Sequence, residues 1–214
     1  MLLFDHAAAG CGKLLTMRFC TLLALAALSL GAGGEDQLTV YELLASATHK
    51  FAIVYDVSQP LEGAKYFFNP IRKGSVVSEE KVLDLATGKE LKWENVDAQA
   101  AVAAGMRARV IPEGQEYLQV QLAMPVPRGG IARIRIIKTY EDAASYKMEG
   151  ELMVWERSLG IRRNVVVLPK GYDLAGCSVP AMVSMQADGR VRLSMMNDRD
   201  DQLPVRITAR RGGA

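Results

Sequence analysis

Hydrophobic and polar residues alternate most regularly across residues 116–140. Leu118, Val120, Leu122 and Met124 are separated by Gln119, Gln121 and Ala123. After Pro125-Val126-Pro127-Arg128-Gly129-Gly130 the alternation resumes, with Ala132, Ile134 and Ile136 spaced by Arg133 and Arg135. A period of two is that of a strand with one dry face and one wet face. The prolines and glycines between the two runs supply the fixed and permissive backbone angles of a reversal. The pattern predicts a β-hairpin on which the rest of the chain is organised. Because a lone hairpin is marginal in water, its dry face requires a second layer.

The flanking segments supply candidates for that layer. Residues 38–43 and 51–57 read as strands, with Phe51, Ile53, Tyr55 and Val57 on one face. Residues 65–68 form a further strand, ended by Asn69-Pro70, and residues 82–96 a second hairpin turning at Ala86-Thr87-Gly88-Lys89. The Ala-rich residues 98–104 lack an apolar stripe and read as a single helical turn or a loop. Residues 141–150 are polar and irregular, and the strands at 152–155 and 165–168 are joined by a connection at 157–164. Residues 182–186 and 191–195 flank Asp188-Gly189, where both turn positions are expected at positive φ. Val205, Ile207 and Ala209 form the inward side of a last strand. The expected fold is all-β: a two-layer β-sandwich of about ten to twelve short, mostly antiparallel strands. Trp93, Trp155 and the aliphatic face of residues 116–140 are expected to share its core.

The N-terminal pattern is of a different kind. In residues 17–34, Arg18 precedes an apolar run from Phe19 to Leu30, followed by Gly31, Ala32, Gly33 and Gly34 and then by the polar Glu35-Asp36-Gln37. That is the layout of a secretory signal peptide helix, and the run falls short of the roughly 20 apolar residues of a membrane span. Residues 1–16 read as an upstream extension, and Ala8-Ala9-Gly10-Cys11 lacks the apolar run that a lipoprotein leader places before its cysteine. The expected product is one β-sandwich domain, residues 35–214, in the periplasm or outside the cell, with no membrane span after cleavage.

Charge and cysteine content narrow the function. The chain has 26 Lys and Arg against 24 Asp and Glu, a net charge of +2. Loss of residues 1–34 would remove Lys13, Arg18 and Asp5, which brings the balance to +1. No basic run concentrates charge as phosphate binding requires, so nucleic acid is excluded as a partner. Cys11 and Cys20 lie in the leader region, and Cys177 alone remains beyond it. A domain of this size can fold without disulfide staples.

The runs Thr139-Tyr140-Glu141-Asp142-Ala143-Ala144-Ser145-Tyr146, Arg157-Ser158-Leu159-Gly160-Ile161-Arg162-Arg163-Asn164 and Leu168-Pro169-Lys170-Gly171-Tyr172 resemble a group of uncharacterised secreted bacterial β-sandwich proteins across residues 38–210. The strand, proline-glycine turn and second strand ending in Tyr140 also resemble, more distantly, the N-terminal β-domain of zinc peptidases of the aminopeptidase N type. The His-Glu-x-x-His helix and Gly-x-Met-Glu-Asn strand of that family are absent. The resemblance implies fold and not catalysis.

Candidate chemistry is sparse. Zinc needs three or four His, Cys or carboxylate ligands, and beyond the leader there is one histidine, His49, and one cysteine, Cys177. Cys177 beside His49 would make a thiolate nucleophile; otherwise it is a small buried apolar residue. There is no Gly-x-Ser-x-Gly elbow and no phosphate-cradling glycine loop, and no cofactor is expected. Met182, Met185, Met195 and Met196 are soft enough for Cu(I), but thioethers more often fill cores. Tyr66 and Phe68 beside Asn69 combine rings with an amide, suited to stacking on a sugar or clamping a peptide. Arg157, Arg162 and Arg163 crowd with Asn164 into one connection, where planar guanidinium forks suit carboxylates or phosphates and stack on aromatic rings. The sequence is read as an exported, non-enzymatic binding or accessory module for a protein or glycan partner. A hydrolase with Cys177 as nucleophile and a structural envelope protein are the alternatives.

Overall fold

The computed structural model describes residues 37–213 apart from 75 and 109; the predicted upstream extension and signal peptide, residues 1–34, lie outside the described residues. Fourteen strands form three sheets among the described residues. The largest runs in the order β12 (Met182–Met185), β13 (Val191–Met196), β10 (Arg163–Val167), β1 (Leu38–Leu43), β2 (Lys50–Gln59), β7 (Ala132–Glu141) and β4 (Val76–Asp84). A four-stranded sheet runs β11 (Tyr172–Cys177), β14 (Leu203–Arg211), β9 (Leu152–Leu159) and β8 (Tyr146–Glu149). A three-stranded sheet runs β3 (Tyr66–Pro70), β6 (Glu116–Gln121) and β5 (Trp93–Asp97). Every pairing is antiparallel except that of β1 with β10, which starts at Leu38 opposite Arg163.

The two small sheets lie side by side against one face of the large one, so the sandwich has two layers but two cores. In the first, Phe51 from β2, Tyr140 from β7 and Leu193 from β13 pack against Met153, Trp155 and Ile207 of the four-stranded sheet. In the second, Val57, Val82, Ile134 and Ile136 of the large sheet meet Leu118 and Val120 of β6. The expectation of one shared core is therefore corrected: Trp155 belongs to the first cluster and Trp93 packs at the edge of the second. Tyr55 touches both.

The central hairpin is also corrected. β6 pairs with β3 and β5, whereas β7 pairs with β2 and β4, so residues 116–140 hold two strands in facing sheets. Alternation identifies the dry side of a strand but not its hydrogen-bonding neighbour. Here the two dry sides face one another. The connection dips inward at Val126, 2% exposed, whose backbone N–H donates to Ala64 O and whose carbonyl accepts from Gly63 N. It then turns tightly: Gly130 N donates to Pro127 O, and a Cβ at Gly130 would meet Pro127 Cγ at 2.5 Å.

Other local expectations change for similar reasons. The turn after β4 closes, with Asp84 N on Lys89 O and Leu91 N on Val82 O, but the chain then crosses to the three-stranded sheet as β5. Helix α1 (Ala98–Ala103) is one short piece, capped by the Asp97 carboxylate on Ala100 N and burying only Ala101. Residues 141–150, expected to be irregular, include β8, an edge strand whose one fully buried residue is Tyr146. At Asp188-Gly189 only the glycine has positive φ. Bonds from Gly189 N to Gln186 O and from Gln186 N to Arg190 O make a turn followed by a left-handed glycine, a three-residue hairpin loop instead of a two-residue one.

The inner-face assignment of β7 has a direct test. Ile134 is 1% exposed between the two layers, so Ile134→Ala should lower stability by about 2–5 kcal/mol. The denaturation midpoint should fall with an unchanged slope; an unmoved midpoint would mean that the other face of β7 is the packed one.

Candidate functional site

Between the two cores the inner face of the large sheet ceases to be apolar. Tyr41 on β1, Ile53 on β2 and Lys138 on β7 are aligned in one row across three strands, and Thr39 and Tyr55 form the adjacent pair on β1 and β2. Lys138 occupies the position that alternation from Ile134 and Ile136 would assign to the core, and it is 4% exposed. A charge there needs a partner. The partner comes from a bulge in β4 between Ser78 and Lys81. Glu79 adopts φ 54 and accepts a bond from the Thr139 hydroxyl at 2.8 Å, and Glu80 reaches Lys138 Nζ at 3.7 Å. Burial pushes the Glu80 carboxyl above its ordinary range, against the opposing pull of Lys138.

A second buried cation enters from the four-stranded sheet. Arg157 follows Trp155 on the inward side of β9 and is 8% exposed. Its guanidinium lies 5.0 Å from the Phe51 ring centre, 5.6 Å from Tyr140 and 6.0 Å from Tyr41, a cation held over three ring faces. Nη1 donates to Asp142 Oδ2 at 3.1 Å, while Nε is buried with no hydrogen-bond partner. Asp142 also accepts from the Ser145 hydroxyl and backbone N–H. Burial alone would raise the Asp142 pKa, but those hydrogen bonds and the charges of Arg157 and Arg72 hold it below the usual carboxylate range. Burial lowers the Arg157 pKa and raises those of Tyr41 and Tyr55. The guanidinium stays cationic and the phenols stay protonated at neutral pH.

The result is a cleft of about 410 Å³ where the two small sheets stop short of each other. Tyr41, Tyr55 and Lys138 form its floor; Asn69 and Arg72 stand on one wall, Arg157 and Ser158 on the other. Arg72 is 44% exposed and lies 3.8 Å from Asp142. With Lys138 matched by Glu80 and Arg157 by Asp142, Arg72 gives the cleft a surplus positive charge at its mouth. Such an arrangement can hold an anion beside aromatic surface. The Glu80 and Asp142 carboxylates are already engaged by buried cations.

The residues singled out from sequence are redistributed by this geometry. The structure brings Arg157 and Asn69 to the same cleft from opposite walls. The connection at 157–164 is shorter than expected, because β9 runs to Leu159 and β10 begins at Arg163. Arg162 is exposed in the turn, Arg163 Nε donates to Gln37 O, and buried Asn164 braces the turn through Nδ2 on Ile161 O. Tyr66 and Phe68 lie on the other face of β3, away from the cleft, with ring centres 6.2 Å apart. His49 Nδ1 is bound to Tyr146 O on β8, whereas Cys177 is on β11. Tyr146, Trp155, Ile207 and Cys177 form one row across the four-stranded sheet, so the two are three strand spacings apart, roughly 14 Å. The nucleophile pair is not assembled. Of the four methionines, Met195 is buried while Met182, Met185 and Met196 are exposed; they do not converge. Among the described residues no group of three or more His, Cys, Asp and Glu side chains is placed to hold a metal. No helix among them is long and apolar enough to cross a membrane.

Tyr41, Arg72, Glu80, Lys138 and Asp142 were not singled out from sequence. Lys138 carried a signal: it stands at an inward position of an otherwise apolar alternation. Glu80 carried none, since the bulge that turns it inward is not written in the residue pattern.

No protein-family model matches the chain, and no curated protein matches it. Among solved structures, an M1 zinc metallopeptidase from Deinococcus radiodurans is 11% identical with a TM-score of 0.48, covering 81% of this chain and 41% of its own. An aminopeptidase N family protein from Idiomarina loihiensis is 7% identical with a TM-score of 0.47, covering 80% and 29%. A protein described as a protease from Parabacteroides distasonis is 10% identical with a TM-score of 0.41, covering 81% and 39%. The chain thus spans less than half the length of these structures. These structures include M1 and aminopeptidase N family members.

The Asp142 environment sets an acid limb for stability. Its folded pKa is depressed, so its contribution is complete above the unfolded value of about 3.9 and is lost as pH falls through the folded pKa. Asp142→Asn leaves the Arg157 charge buried and uncompensated, and should cost about 3–5 kcal/mol at pH 7. The gap to the parent should narrow below about pH 4. Urea titrations of both proteins from pH 7 to pH 3 measure it; a gap constant with pH would mean that Asp142 contributes no charge.

Proposed function

We propose that the chain is an exported, non-enzymatic binding module that receives a carboxylate-bearing segment of a partner protein in the cleft between its two small sheets. The observation that carries this reading is the polar inner face between the cores. A sandwich optimised only for stability would fill Lys138 and Arg157 with apolar residues, since burying ion pairs costs desolvation that hydrophobic packing avoids. The chain instead keeps Lys138 and Arg157 buried, each paired with a carboxylate, beside Tyr41 and Tyr55. The cleft volume lies within the range of ligand pockets, and its rings and few polar groups match their usual lining. A partner carboxylate at the mouth would take a charge-assisted bond from Arg72 and sit against the phenol rings. Export rests on the leader pattern of residues 17–34.

Two experiments test these halves separately. For the cleft, tagged parent, Arg72→Ala and Ser158→Trp proteins are used to recover partners from the native envelope fraction. Both positions are exposed at the surface. The variants should keep the parent's thermal midpoint and lose recovery, with Arg72→Ala weakening binding about tenfold, the loss of one charge-assisted bond. Normal recovery by a correctly folded Ser158→Trp protein would leave these polar residues a purely structural seam. For export, mass spectrometry of the processed protein should find an N-terminus close to Glu35; a product retaining Phe19 to Leu30 would overturn it.

A further inference from the structure

We infer a second binding site, for a neutral pyranose glycan, on the outer face of the three-stranded sheet. Phe67 of β3 points inward to the second core, so by alternation Tyr66 and Phe68 point outward. Both are half-buried, and their rings are tilted at 45°. The register continues this face across the sheet. Phe68 stands beside Gln119 and then Glu94, and Tyr66 beside Gln121. Lys92, whose carbonyl accepts from Gln121 N, closes the far end. Hollows of about 510 and 260 Å³ lie on either side of Tyr66, which lines both.

Two independent observations point to a ligand there. The first is the aromatic pair itself: rings left half-exposed on a sheet face offer the apolar flat surface on which the C–H face of a sugar stacks. The second is Gln119, 8% exposed and lining the smaller hollow. Its Nε2 donates to Glu94 Oε1 at 3.0 Å, which fixes the amide orientation, because the reverse would set its oxygen against a carboxylate. Its Oε1 is then buried with no hydrogen-bond partner. A buried acceptor without a donor costs about 1–3 kcal/mol, and a sugar hydroxyl would supply that donor.

The surrounding polar groups select the ligand class. Glu94 and the Gln121 oxygen accept, the Gln121 amide and Lys92 donate, and vicinal hydroxyls do both. In the smaller hollow Lys92 and Glu94 cancel in charge, so that hollow favours a neutral glycan over an acidic one. This site faces away from the Arg157 cleft, and its occupation does not depend on that cleft's function.

Isothermal titration of the parent with cellohexaose, chitohexaose and mannohexaose tests the assignment, together with chemical-shift mapping on the unmodified protein. At least one of these sugars should bind and should shift the Gln119 and Gln121 side-chain amides. Tyr66→Ala should weaken that binding at least tenfold, and Gln121→Ala, at an exposed position, should weaken it several-fold with the thermal midpoint unchanged. Silence with all three sugars, shifts confined to the Arg157 cleft, or undiminished binding by folded Tyr66→Ala would overturn the inference. So would an extended peptide that shifts the same amides while the sugars do not.

Discussion

The buried pair of Arg157 and Asp142 is the constraint on which the docking of the four-stranded sheet on the large one depends. Arg157 comes from the four-stranded sheet, and the rings around it come from β1, β2 and β7 of the large sheet. Taking a guanidinium out of water is repaid only when its charge is matched and its counter-ion is itself fully hydrogen-bonded. Ser145 provides the latter through two bonds to Asp142. The short turn between β7 and β8 thus decides whether β9 can dock on the large sheet. A polar segment that reads as a mere link holds the layers in register.

Much of the fold was legible because strands advertise their dry faces. Phe51, Ile53 and Val57 are buried as their spacing requires, and so are Val205, Ile207 and Ala209. What alternation does not encode is partnership. Ile134 and Val120 were correctly inward, yet they face each other across the sandwich and are not neighbours in one hairpin. The extra strands were missed where burial was one-sided: β8 has Tyr146 fully buried and little else to mark it.

The site was legible only in fragments. Arg157 and Asn69 could be named from residue type, but nothing along the chain says that a strand interior and a strand end will meet across a cleft. Arg162 and Arg163 are close to Arg157 in sequence but separated from it by strand parity and a turn. Proximity in sequence is a poor guide when a two-residue step along a strand returns to the same face and a one-residue step changes it. Glu79 illustrates the limit further. Its left-handed backbone exists because the bulge must present Glu80 to Lys138, a demand created by β7 and invisible within β4.

The parallel pairing of β1 with β10 has a consequence for how the molecule comes together. β1 sits between β2 and β10, so it has one neighbour close at hand and another that begins 120 residues after it ends, at Arg163 against Leu43. Until then β4, β7, β2 and β1 form a partial sheet with an open rim of unpaired amides and carbonyls along β1. Closing so long a loop costs entropy before any contact repays it, and an open rim recruits foreign strands. The joint at the middle of the large sheet therefore stays open until β10 has been made, and until then its rim is an edge on which a strand of another chain can pair.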